Sequence, residues 1–223
     1  MHHIDLSTIT LTAGAHWDRD EGLCVMEAVA WWANEKHSDH PRCVDPLIAE
    51  YARHLNDKML GDVRQRLVPY IPRLVGTAND GIRPKVRAYI CADRAVRTFA
   101  PISLRARGWA TEAETLEALT PVVDRKTALL ARETIQAISH VRHWPTSVMD
   151  AAAYAVTYAA RCGIGVTGRT SPTLTAAYAA CTAVCAAADD TRVWDHALRL
   201  LDDLIVGRRR RRRRAVGEES SSE

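Results

Sequence analysis

The sequence predicts an all-α fold, an antiparallel multi-helix bundle with alanine-rich C-terminal helices and a short extended N-terminal segment. Three observations carry that prediction. Apolar residues recur at helical spacing through most of the chain. Alanine is abundant, while 223 residues include a single Phe and eleven Gly, a composition that suits closely packed helices better than a sandwich or barrel. Asp-Pro and Ser-Pro pairs stand where helices should start, the first residue capping and the proline filling a position whose N–H has no partner anyway.

Residues 1–20 are rich in Thr and Ser, with Ile4, Leu6, Ile9 and Leu11 as apolar points, and read as extended or as a short strand. A first helix is expected from an Asp20 cap through Cys24 to about Asn34, apolar nearly all round and therefore central. Pro41 keeps His40 out of a helix. Asp45-Pro46 opens a second helix with Leu47, Ile48, Tyr51, Ala52, Leu55 and Met59 on one face. Pro69 and Pro72 limit residues 62–75 to short turns.

The GTANDG stretch is the clearest loop and marks a candidate sub-division near 76–83 within a single helical domain of residues 1–206. A helix over 84–99 should turn Val86, Tyr89, Ile90 and Val96 inward. Thr111 and Glu114 suggest a capping box ahead of Leu116 and Leu119. Thr120-Pro121 should start the next helix, with Val123, Leu130, Ile135 and Ile138 as its stripe and an end before Pro145. Farther on, Tyr154 with Tyr158 and Cys181 with Cys185 pair at i, i+4 on alanine-rich segments, the second opened by Ser171-Pro172. A last helix around 190–206 follows Asp189-Asp190, buries Trp194, Ala197, Leu201, Leu204 and Ile205, and stops at Gly207.

The net charge of +3 is dominated by a run of seven arginines, Arg208, Arg209, Arg210, Arg211, Arg212, Arg213 and Arg214, followed by Glu218, Glu219 and Glu223. The body is close to neutral, so the basic pI describes the tail and not the folded face. Residues 207–223 read as a disordered tail. Such an arm suits nucleic-acid contact, each phosphate adding about 0.9 to the salt slope on duplex DNA. Arg94, Arg97, Arg105 and Arg107 form a second candidate basic patch. No aromatic residues interleave the run, so base stacking is not expected. No window approaches the roughly 18 apolar residues of a membrane span. The amino end lacks a signal-peptide pattern, and six irregularly spaced cysteines suggest reduced thiols. Together these point to a cytoplasmic protein without membrane contact.

Several stretches carry a resemblance: EGLCVMEAVAWWANEKHSDHPRCVDPLIAEYARHLND, RQRLVPYIPRLVGT, AYICADRAVRTFAP, and LEALTPVVD with LRLLDDLI. They are similar to a group of uncharacterised actinobacterial and actinophage proteins that share Cys-x-Met-Glu, SDHPxC and PRLVGT elements. The resemblance covers about residues 14–206 and implies a common fold and a bacterial or phage cytoplasm. It implies no activity. The arginine run lies outside it, and the milder AAAYAVTYAA and AAYAACTAVCAAA replace the group's Ala-Trp segments.

The chemistry-bearing stretch is Glu21–Cys43. His37-x-x-His40-x-x-Cys43 offers zinc ligands, with Cys24 able to complete a metal set and His16 or Glu27 as substitutes, although the spacing matches no standard zinc module. Glu27 lies in an apolar helix and needs a partner, for which Arg73, Arg94 and Arg97 are candidates, because a lone buried carboxylate costs several kcal/mol. A nucleophile reading would require Cys24 activated by His16 or His40. His140 and His143 read as a solvated edge. GIGVTG lacks the residues of a phosphate-binding loop.

The expectation is a non-enzymatic helical binding protein with an unidentified protein partner, whose polar cluster holds segments in place. One alternative is a nucleic-acid-associated protein using Arg208–Arg214. The other is a zinc-stabilised domain or zinc enzyme built on Cys24, Glu27, His40 and Cys43.

Overall fold

The computed structural model describes residues 4–142, 157, 179, 180, 182, 184 and 192–207. Helices dominate, and the described residues contain no strand. In chain order the α-helices are α1 (Val25–Trp32), α2 (Pro46–Lys58), α3 (Gly61–Gln65), α4 (Ile71–Leu74), α5 (Pro84–Arg94), α6 (Ala100–Ala106), α7 (Ala110–Glu117), α8 (Arg125–Arg142) and α9 (Val193–Val206). Short 3-10 turns cover Leu6–Thr8, Val68–Tyr70 and Thr77–Asn79. The N-terminal segment, expected as extended chain or a short strand, carries a 3-10 turn capped by Asp5 and otherwise irregular chain.

The central element is α2, against which α1 and α9 both pack. Its N-cap Asp45 accepts the Leu47 and Ile48 N–H groups, and Pro46 fills the first turn as expected. Tyr51, Ile48 and Leu55 are fully buried, each such side chain contributing about 1.5–3 kcal/mol. α1 also lies on α4, and α9 also lies on α5. Two tyrosine hydroxyls tie α9 down by its backbone, Tyr51 donating to Ala197 O at 3.1 Å and Tyr70 to Leu198 O at 3.3 Å.

Helix ends differ from expectation where the cap chemistry is unusual. α1 starts at Val25, so Cys24 is its cap and Asp20 stays outside in an exposed turn. Its end matches expectation: Asn34 takes φ 56. Asn34 N–H then donates to Trp31 O and Glu35 N–H to Ala30 O, the paired bonds of a Schellman stop. Pro101 does not end the helix begun at Pro84. A π-turn over Ala95–Phe99 widens the ladder just before it, which removes the clash a proline makes with the carbonyl four residues back.

Other expectations require correction. Thr111 lies inside α7, whose cap position is Trp109, and caps nothing. Helix α8 starts after Asp124, whose carboxylate accepts Thr127 N–H at 2.8 Å, and not at Thr120-Pro121. Val123 and Leu130 are consequently exposed while Ile135 and Ile138 are buried. Val86 and Tyr89 are only half-buried. The Tyr154/Tyr158 and Cys181/Cys185 pairs, Ser171-Pro172, Asp189-Asp190, His143 and Arg208–Arg214 lie outside the described residues, as does the His140 side chain.

Candidate functional site

Glu27, 1% exposed, is the centre of the polar cluster. The fold brings it there because α1 is capped reciprocally: Glu27 N–H donates to Cys24 Sγ at 3.4 Å, and Cys24 N–H to Glu27 Oε2 at 2.7 Å. His16 closes the other side, its backbone N–H donating to Oε1 at 2.7 Å and its Nδ1 lying 2.8 Å from Oε2. A carboxylate only accepts, so Nδ1 carries the imidazole proton. Burial pulls the Glu27 carboxyl upward. The bonds from His16 and Cys24 outweigh it and hold the group below the ordinary carboxylate value. The partner is therefore a histidine and two backbone amides, in place of the arginines expected. Arg73 and Arg94 pair with Asp202 and Asp203 on α9, and Arg97 with Asp93.

His37 joins from the far side. Its Nε2 donates to His16 O at 3.0 Å and lies 3.9 Å from Glu27 Oε1, while its buried Nδ1 has no partner among the described residues. Thr12, unremarked in the sequence, completes the cluster, with Oγ1 at 3.0 Å from His16 Nε2 and accepting Leu23 N–H at 3.1 Å. Hydroxyl, imidazole and carboxylate thus stand in a row, an arrangement that in other settings activates a nucleophile. Here the row is crowded on one side. A Cβ on Gly22, at φ 144, would fall 2.5 Å from Thr12 Oγ1 and 2.8 Å from His16 Nε2. The glycine therefore packs close against the hydroxyl and imidazole and crowds the approach to them from that side. Cys24 is no better placed. Burial pushes its thiol up to about 12, so the thiolate a nucleophile needs is scarce.

The other candidate ligands lie apart. His40 is exposed and bonds through Nδ1 to Asp39 at 2.5 Å. Cys43 serves backbone architecture. Its N–H donates to Glu35 Oε1 at 2.9 Å, and its carbonyl accepts Gly76 and Ala78 N–H at 3.0 and 3.2 Å. The SDHPRC and PRLVGT segments therefore meet at Cys43, whose thiol burial raises to about 11. Among the described residues no three His, Cys, Asp or Glu side chains group so as to hold a metal ion.

What the cluster positions is the turn that follows His16. Trp17 N–H donates to Glu21 Oε2 at 3.1 Å, and Asp18 Oδ1 accepts the Asp20 and Glu21 N–H groups at 3.0 and 3.2 Å. Arg19 folds back with its guanidinium 5.0 Å from the Trp31 ring. At the foot of the loop, Asn56 Nδ2 donates to Thr12 O at 2.8 Å and Asp57 Oδ1 accepts Gly14 N–H at 2.8 Å. Trp17 itself is 90% exposed on this pinned backbone. The readable signal was a Trp set between His16 and a string of charges with no apolar periodicity around it.

A second buried centre also escaped the sequence. Arg87 is fully buried. It donates to Asp45 Oδ2 at 2.8 Å, to Ile82 O at 3.2 Å, to Leu204 O at 3.1 Å and to Asp80. Asp45 N–H in turn donates to buried Thr77 Oγ1 at 3.1 Å. The proposed surface patch of Arg94, Arg97, Arg105 and Arg107 is largely consumed internally, by Asp203, Asp93, Glu117 and Ser103.

No helix among the described residues is long and apolar enough to cross a membrane. Comparison with known protein families, with curated proteins and with solved structures finds no match to the chain. The class that fold and site define is an all-helical protein with a self-contained polar clamp.

Proposed function

We propose that the chain is a non-enzymatic interaction protein whose amino-terminal polar cluster holds the Trp17 turn in place for a protein partner. The observation that carries this reading is the exposure of Trp17 on a turn whose backbone is held at Trp17, Asp20 and Glu21 by side-chain hydrogen bonds. A free tryptophan ring on a pre-ordered loop binds at low entropic cost, and tryptophan is enriched among residues that dominate interface energetics. The crowding of Gly22 against Thr12 and His16 and the protonated Cys24 thiol speak against chemistry at Glu27.

A photo-crosslinking residue placed at position 17, compared with one at exposed Glu133, tests the reading in cells that make the protein. A single protein adduct specific to position 17 is expected. Equal labelling at both positions, or none at 17, would remove it.

A second reading rests on the seven consecutive arginines, Arg208–Arg214. On it the tail binds nucleic acid through phosphates, and affinity falls steeply with salt. Replacing the run with serine abolishes that binding if the reading holds and leaves it unchanged if it fails.

A further inference from the structure

We propose that the Trp17 turn is the docking site for the chain's own arginine run, Arg208–Arg214; the inference rests on reading Trp17 as a contact residue. Trp17 is followed by Asp18, Asp20 and Glu21, all exposed, and the one cation of the turn, Arg19, is already stacked on Trp31. An exposed indole face flanked by carboxylates suits a guanidinium in particular, which stacks on the ring through its plane while donating in pairs to carboxylate oxygens. Lysine supplies the charge without the plane. Nothing else in the sequence offers so dense a guanidinium source as the run.

Gly207, the last residue before the run, follows Leu204, whose carbonyl is held by Arg87, and Arg87 holds the Asp45 cap of α2. The loop leading to Trp17 is tied to the opposite end of α2, at Asn56 and Asp57. Those ends are about 16 Å apart along the helix axis. Seven extended residues span about 23 Å. Fully extended, the run is therefore longer than α2 itself, and either the same molecule or a second copy can supply it.

The test uses the full chain labelled with 5-fluorotryptophan, the Trp17 fluorine resonance being assigned from Trp17→Phe. At low salt the resonance is compared among wild type, a chain with all seven arginines replaced by serine, and one with all seven replaced by lysine. The serine chain is expected to shift the Trp17 resonance, 1 M salt to shift wild type to the same position, and the lysine chain to fall between. A shift independent of protein concentration assigns the contact to one molecule; dependence assigns it to two copies, and either supports the proposal. Identical Trp17 resonances in the wild-type and serine chains overturn it. A specific adduct at position 17 alongside identical resonances would leave the interaction reading intact and remove only this inference.

Discussion

Two buried polar centres lie at opposite ends of α2. Around Arg87 a buried cation gathers groups from far along the chain, Asp45 and Leu204 O, together with Asp80 seven residues before it. Around Glu27 a buried anion gathers mostly neighbours: Cys24 N–H, His16 N–H and the His16 ring, with His37 beyond. The first joins helices α2, α5 and α9. The second joins a loop to the helix it precedes. A charge whose partners are distant in sequence holds the fold together, whereas one whose partners are local holds a shape on the surface. That contrast makes the Arg87 centre global and the Glu27 centre local in its consequences.

The largest effect is expected at Arg87. Arg87→Met leaves Asp45 buried without its cation and should cost about 3–5 kcal/mol of global stability in urea unfolding. Adding Asp45→Asn should recover part of the loss, since the uncompensated charge is gone. A cost as small as that of a surface ion pair would break the comparison.

Glu27→Gln comes next, at about 2–3 kcal/mol, because three donors converge on the carboxylate and an amide turns an N–H toward one of them. Its pH dependence follows from the direction of the Glu27 shift. The folded value lies below the ordinary 4.5, so the contribution is complete above about that pH and is lost as pH falls through the folded value. The stability gap between wild type and Glu27→Gln should therefore narrow below pH 4.5. A gap that widens there would contradict the assignment.

Gly22→Ala should cost about 1–3 kcal/mol, from its positive φ and from the collision with Thr12 and His16. The smallest effect is at the helix cap, where Cys24→Ser should change stability by no more than about 1 kcal/mol, serine being a better cap than a thiol. In the native chain Cys24 should resist thiol reagents at pH 8 and react only on unfolding, since burial pushes its thiol up to about 12. Rapid native labelling would point to an activated thiol.

Much of this architecture was readable in the sequence, and the exceptions have physical causes. Asp45-Pro46 announced α2 because cap and proline act locally. Gly207 announced the end of α9 for the same reason. Thr120-Pro121 carried the same signal and failed, because Asp124 with Thr127 offers a tighter cap four residues on. The oddity of Glu27 was visible, but its partner was not: an arginine was the plausible counterion, and only tertiary packing brings His16 there. Arg87 gave no warning, since arginine in an amphipathic helix usually faces water. Cys24, His40 and Cys43 offered ligand types, with the plainer reading that they anchor a helix and a proline loop. In the fold they are a helix cap, an exposed ring and a backbone junction.

The claim that the Glu27 cluster exists to fix the Trp17 turn is tested most directly by native-state amide hydrogen exchange on Glu27→Gln. Protection should fall across residues 12–23 while amides of α9 between Leu198 and Leu204 retain theirs. An equal loss in both segments, or an undisturbed loop, would contradict it.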